Sequence, residues 1–348
     1  MKILKISGIT IAALILSVVI AATILFDKKS IQFLLTLTGT IKPTDYKEEE
    51  IKIKVDGEEI PMKVFTSTHS LKGKYYFFLH GFTPESYQHP ALIKMAIAFS
   101  HATGRTVMIP FIRGSVEGGR KIPETAREVA DIYMTLKKTY PGRYNAFGSC
   151  IAGTGLLISF NRLPVEDYPD KLFLYGPFFR GIDLINYYNK AGVEIDYMVK
   201  LANAMWSEKF NKKEKALISK AIIASKPGIT DRKEMRRVLG DSLYERIDTE
   251  KVFHDAVIGL NETSIFIPGK KIPSSEFYII HSASDNIVPF TAGLGLHKFL
   301  TGCGAKSRFL GTNIFTHSQV KLSPLQAIRE TFELIEFLDD LLDEKSTR

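Results

Sequence analysis

The chain has 348 residues, of which 45% are hydrophobic and 24% charged, a balance that supports a packed globular body and excludes disorder except over the last residues, Glu344 to Arg348. The formal net charge is +8, but basic and acidic residues are interleaved, as in Lys212-Lys213-Glu214-Lys215. The lean is read first as solvated helical faces, second as attraction to anionic lipid headgroups. With no aromatic-basic platform in the chain, nucleic acid is not an expected partner. The two cysteines, Cys150 and Cys303, belong to no CxxC and no Cys/His cluster, so neither a metal site nor a cofactor is expected.

From Ser7 to Phe26 no charged residue occurs, with Lys2 and Lys5 before the stretch and Asp27, Lys28 and Lys29 after it. That length and composition predict one membrane-spanning helix. A cleaved signal peptide is the alternative, but it calls for a shorter apolar core and a small-x-small site, which Ala21-Ala22-Thr23-Ile24 does not supply. The basic amino-terminal tail favours an inside N-terminus and an extracytoplasmic body, giving a single-pass membrane protein. Residues 27–48 read as a stalk or an opening helix.

Next, Ile51–Val55 alternates, Gly57 marks a turn, and Ile60–Phe65 resumes the alternation, which predicts a strand pair. Tyr75–Leu79 is a continuous apolar run, the mark of a strand buried on both faces. A helix is expected over 90–102, a buried strand over 106–112, and an amphipathic helix over 123–140 that presents Ala126, Val129, Ile132 and Leu136 on one side. A short strand over 144–147, a helix over 151–160 and a strand over 172–175 continue the alternation. Such a rhythm implies a mostly parallel sheet flanked by helices. It breaks at Gly176-Pro177. Helical patterns then occupy 182–189, 197–210, 214–224 and 233–246, before a strand over 277–281, a helix over 291–300, a strand over 307–315 and a closing helix over 327–342. The expected organisation is an anchor over 1–30, an α/β core over 31–177, a helical lid insertion over 178–273, and the rest of the core over 274–348.

The segment Asn145-Ala146-Phe147-Gly148-Ser149-Cys150-Ile151-Ala152-Gly153 carries the chemistry. A short strand runs into a sharp turn and then a helix. A nucleophile on such a turn sits in a strained conformation, and its neighbours two residues away on either side must be small. Gly148 and Ala152 meet that rule around Cys150, whereas Phe147 and Ile151 break it around Ser149. Spacing selects Cys150.

This segment resembles the nucleophile elbow of the α/β-hydrolase superfamily, G-x-S-x-G, with two departures. Cysteine stands for serine, as in the dienelactone-hydrolase branch, and alanine stands for the second glycine. The resemblance covers residues 51–342, with the lid as an insertion. It implies that the backbone N–H groups of Phe82, after His80-Gly81, and of Ile151 bind an oxyanion, and that Asp285 and His317, each after a late strand, serve as acid and base. The start of the helix behind Cys150 is expected to lower its thiol pKa. On this reading a Cys150–His317–Asp285 triad cleaves a carboxylic ester, thioester or lactone through a thioacyl-enzyme. The substrate is a small-molecule or lipid-like ester, and Phe178, Phe179, Tyr187, Tyr188, Tyr197, Met198 and Trp206 of the insertion line an acyl pocket or merely pack the lid.

Alternatives stand beside it: an acyltransferase on the same intermediate, and an inactive fold that binds without turnover. Asp183 is the fallback acid. His80 and His281 are expected to be structural, and His69, His89, His101, His254 and His297 to lie on surfaces or loops. Cys303, which precedes the last strand, is expected at the far end of the sheet from Cys150, out of disulfide reach.

Overall fold

The computed structural model describes residues 28–81, 85–115, 122–178, 209–224, 232–249, 274–285, 287–313 and 324–343, with isolated positions between 180 and 207. Eight strands form one sheet: β1 (Tyr46–Val55), β2 (Glu58–Ser67), β3 (Lys74–Leu79), β4 (Thr106–Pro110), β5 (Arg143–Ser149), β6 (Lys171–Tyr175), β7 (Glu276–Ser282) and β8 (Lys306–Thr312). Their order is β1-β2-β4-β3-β5-β6-β7-β8. The first two strands are antiparallel, as are β2 and β4, and every pairing from β4 to β8 is parallel. The turn between β1 and β2 is made by Asp56 at φ 49° and Gly57 at φ 89°, the paired left-handed conformations of a two-residue hairpin.

Continuous apolar runs are what a parallel sheet covered on both faces requires. Phe77, Leu79, Ala146, Leu172, Leu174, Phe277 and Ile279 point to one buried layer, and Tyr76, Phe78, Phe147, Phe173, Tyr278 and Ile280 to the other. The first layer is covered by α3 (Ile122–Thr139), α4 (Cys150–Ser159) and α8 (Phe290–Gly302). The second is covered by α1 (Lys28–Thr38), α2 (Pro90–Thr103) and α9 (Pro324–Leu342). Between β6 and β7 the described helices are α5 (Lys212–Ala224), α6 (Arg232–Leu239) and α7 (Asp241–Thr249), which share a small core of their own around Ile218, Met235, Leu243 and Ile247.

Two expectations need amending. The stretch 233–246 is two helices, because Gly240 adopts φ 76°, a left-handed conformation that ends α6. Residues 28–38 are the opening helix, one of the two readings of 27–48, packed on α2 and α9 through buried Ser30, Phe33 and Thr36. Among the described residues the last strand ends at Thr312, and 314–315 lie outside them. The apolar segment 7–26 also lies outside the described residues. Of the described helices, none is long and apolar enough to cross a membrane.

Candidate active site

Parallel strands β3, β5, β6 and β7 all end at one rim of the sheet, and the candidate residues follow those ends. Ser149 closes β5 in an extended conformation, φ −106° and ψ 142°, and Cys150 opens α4 at φ 50°. A non-glycine residue held there costs on the order of 1–3 kcal/mol, so surrounding structure must enforce it. The left-handed residue is Cys150, not Ser149, as the spacing rule required.

Close backbone packing does the enforcing. A Cβ on Gly148 would meet the Cα of Gly153 at 2.8 Å and the carbonyl carbon of Ala152 at 3.1 Å. A Cβ on Gly153 would in turn meet the carbonyl oxygen of Gly148 at 2.9 Å. Gly148 and Ala152 were identified from spacing. Gly153 was missed as an elbow residue, although the small-residue run Ala152-Gly153 carried the signal.

Asp285 follows β7 and is buried. Its Oδ1 accepts the backbone N–H groups of Ile287 at 2.8 Å and Val288 at 2.9 Å, fixing the carboxylate in the turn. The other oxygen lies 3.7 Å from Nε2 of His281 and 3.6 Å from where a Cβ on Gly176 would sit. Gly176 itself has φ 54°, and its N–H donates to the carbonyl of Ile280 at 2.8 Å. Tyr175, in register with Ser149 across the β5–β6 pair, is near enough to acid and thiol to feel both; burial, then Asp285, then Cys150 raise its phenol pKa. Neither Tyr175 nor Gly176 was singled out from sequence, because their closeness to Asp285 depends on strand register.

The thiol of Cys150 is pushed up to about 12. Burial is the larger cause and the charge of Asp285 the second, while a hydrogen bond from the Ile151 N–H acts the other way. This corrects the expectation that the helix start lowers the thiol pKa. The N–H contribution is present, but desolvation outweighs it. Ile151 thus has its backbone donor directed at the sulfur. The two remaining candidates, His317 and Phe82, lie outside the described residues.

The other histidines sort clearly. His80 is buried; its Nε2 accepts the Ile112 N–H at 2.9 Å and its Nδ1 donates to the Gly81 carbonyl at 3.0 Å. Burial lowers its pKa to about 4, so it is a neutral clamp between the loops after β3 and β4. His281 is fully buried, with Nε2 at 3.0 Å from the Val288 carbonyl and Nδ1 only 2.2 Å from a would-be Cβ on Gly293; it is a packed core group. His69 is exposed, and His297 is half-buried with Nδ1 at 2.9 Å from the Ser307 hydroxyl. His101 is more than a surface residue, since it faces Asp45 at 3.1 Å and Gln32 at 2.5 Å. His254 lies outside the described residues.

Asp183 pairs with Arg180 at 2.7 Å. Cys303 caps α8 just before β8 begins, at the opposite rim from Cys150, and both thiols are free. In the insertion, Phe178 is buried and its carbonyl accepts the Thr154 hydroxyl at 2.8 Å, tying the start of the insertion to the nucleophile helix. Tyr187 is half-buried, its hydroxyl 3.5 Å from the Asp285 carbonyl. Phe179, Tyr188, Tyr197, Met198 and Trp206 lie outside the described residues. Among the described residues no three His, Cys, Asp or Glu side chains are grouped to hold a metal ion.

No family model and no curated protein matches the sequence. Solved structures do resemble it in shape. A hyperthermophilic esterase from the archaeon Pyrobaculum calidifontis aligns over 92% of this chain and 90% of its own, at 13% identity and a TM-score of 0.54. A provisionally named hydrolase from Legionella pneumophila aligns over 92% of this chain and 96% of its own, at 12% identity and a TM-score of 0.57. An arylesterase aligns over 89% of this chain and 88% of its own, at 11% identity and a TM-score of 0.50. Strand order, the left-handed residue at the β5–α4 turn and these likenesses together establish that this chain has the α/β-hydrolase fold.

Proposed function

We propose that the protein is a membrane-anchored ester hydrolase that works through Cys150, His317 and Asp285. The observation that carries this reading is Cys150 itself. It is left-handed at the β5–α4 turn, with the Ile151 N–H on its sulfur and a buried carboxylate close enough to perturb it. Strain of this kind persists where structure enforces it, and such sites are commonly functional.

The chemistry follows from the parts. His317 takes the proton of the Cys150 thiol, and Asp285 orients the imidazole and balances its charge. The thiolate attacks the carbonyl of a carboxylic ester, thioester or lactone. The N–H groups of Ile151 and Phe82 stabilise the oxyanion. Collapse releases the alcohol, thiol or ring-opened group with a proton from His317, and water then cleaves the thioacyl-enzyme. Residues 7–26 anchor the chain, with the body on the extracytoplasmic side.

One observation favours a second reading. A thiol pushed up to about 12 is a poor nucleophile at neutral pH unless a base receives its proton. Without that base the fold would be a membrane-tethered binding protein. The two readings separate on iodoacetamide inactivation with p-nitrophenyl butyrate turnover as readout. Catalysis predicts turnover that is lost in step with alkylation of Cys150, and alkylation that slows in His317→Ala. An inactive fold predicts no turnover above the esterase background and an alkylation rate indifferent to His317→Ala.

A further inference from the structure

The direction of α1 says which end of the body meets the membrane. Gln32 lies 2.5 Å from His101, the rings of Phe33 and Phe99 are 4.7 Å apart, and a Cβ on Gly39 would lie 3.4 Å from the Lys94 ammonium. As α1 advances from 32 to 39, its partners on α2 recede from 101 to 94, so the two helices run antiparallel. Helix α2 starts at the active-site rim, after the end of β3, and finishes at Thr103, just before β4 begins. Lys28, at the start of α1, therefore lies toward the opposite edge, where the parallel strands begin. His101 supports this, since it also faces Asp45, the residue before β1 starts at that edge.

Only one residue separates Phe26, the end of the apolar segment, from Lys28. Two residue steps span at most about 7 Å. Because α1 is packed onto the body, there is no slack chain between segment and sheet. Along β5, from Arg143 to Ser149, the sheet is roughly 20 Å tall. The edge near Lys28 carries a fitting surface. Leu71, 39% exposed, is tied to that edge by its N–H to the Gly104 carbonyl at 2.6 Å, and exposed Lys72 follows it. An exposed leucine beside exposed lysines suits the boundary between acyl chains and anionic headgroups.

Building on the anchored reading above, we infer that the body rests on the bilayer by the edge where its parallel strands begin, with Cys150 on the far rim facing water. The substrate class that geometry serves is the water-soluble ester, delivered from the aqueous phase, rather than a lipid drawn from the bilayer beneath.

Energy transfer in proteoliposomes tests this on the full chain. In a Cys150→Ser, Cys303→Ser background, a donor fluorophore is placed at Leu71→Cys or at Lys54→Cys, an exposed position near the active-site rim. The vesicles are phosphatidylcholine with phosphatidylglycerol and a headgroup-attached acceptor. The expected result is several-fold greater transfer from the Leu71 position than from Lys54, whichever way the chain inserts. Equal transfer, or greater transfer from Lys54, overturns the orientation while leaving the anchor intact. Failure of the chain to float with the vesicles overturns the anchor and the orientation together.

Discussion

At Cys150 opposing influences set the state of the sulfur. Burial and the Asp285 charge favour the neutral thiol, the Ile151 N–H favours the thiolate, and the first pair prevails. A thiol raised this far stays protonated at pH 7 unless a base receives its proton. In the triad proposed above, Asp285 opposes ionisation by its own charge and supports it by holding the imidazole of His317. Asp285→Asn is therefore expected to cut p-nitrophenyl ester turnover by on the order of 10⁴-fold, because the imidazole loses its partner. Steady-state kinetics of the variant check this; turnover within about ten-fold of the parent would contradict it. Cys150→Ala should lose turnover on the order of 10³-fold or more with its circular dichroism unchanged, whereas Ser149→Ala should stay within a few-fold of the parent. The elbow was legible in the sequence because its steric demand is local: Gly148 and Ala152 flank Cys150 within five residues. The setting of Tyr175 and Gly176 was not legible, because it arises from the pairing of β5, β6 and β7 across distant stretches of chain.

The strands and helices around the site are held by contacts that make their own predictions. Gly148 and Gly153 press backbone against backbone, so Gly153→Ala should destabilise the fold by about 1–3 kcal/mol and depress turnover by disturbing the turn; urea unfolding and ester kinetics read the two effects separately. His80 joins the ends of β3 and β4 as a neutral ring with a pKa near 4, against an ordinary 6.5. Between those values the unfolded chain binds a proton that the folded chain refuses, so this contribution is complete above pH 6.5 and lost as pH falls toward 4. The shift corresponds to at most about 3 kcal/mol. Urea titrations at pH 7.5 and 4.5 should show a drop in stability that shrinks in His80→Gln, alongside a lower stability of that variant at pH 7.5; an unchanged drop would deny His80 the role. Element types were read well where periodicity was strong, as in the buried runs of β3 and β7 and the amphipathic α3. They were read less well where one residue's backbone decides. Gly240 splits one predicted helix into two, and a helical pattern over 233–246 cannot show that, since its apolar positions continue through the break.

For the molecule as a whole, composition and the 7–26 segment suggested a tethered body but gave no hint of its posture, which depends on α1 running against α2. The posture has a kinetic consequence. A site turned to water should saturate with monomeric ester, so its rate should not rise when a longer-chain ester passes its critical micelle concentration; a sharp rise there would point to a lipid-facing site. All of this presupposes that Cys150 bears the acyl group, and that step is directly observable. When the full chain is quenched in acid within seconds of mixing with p-nitrophenyl butyrate, tandem mass spectrometry should find one butyryl group, on the sulfur of Cys150, and none in Cys150→Ala. A butyryl group on Ser149, or undiminished turnover in Cys150→Ala, would contradict the account.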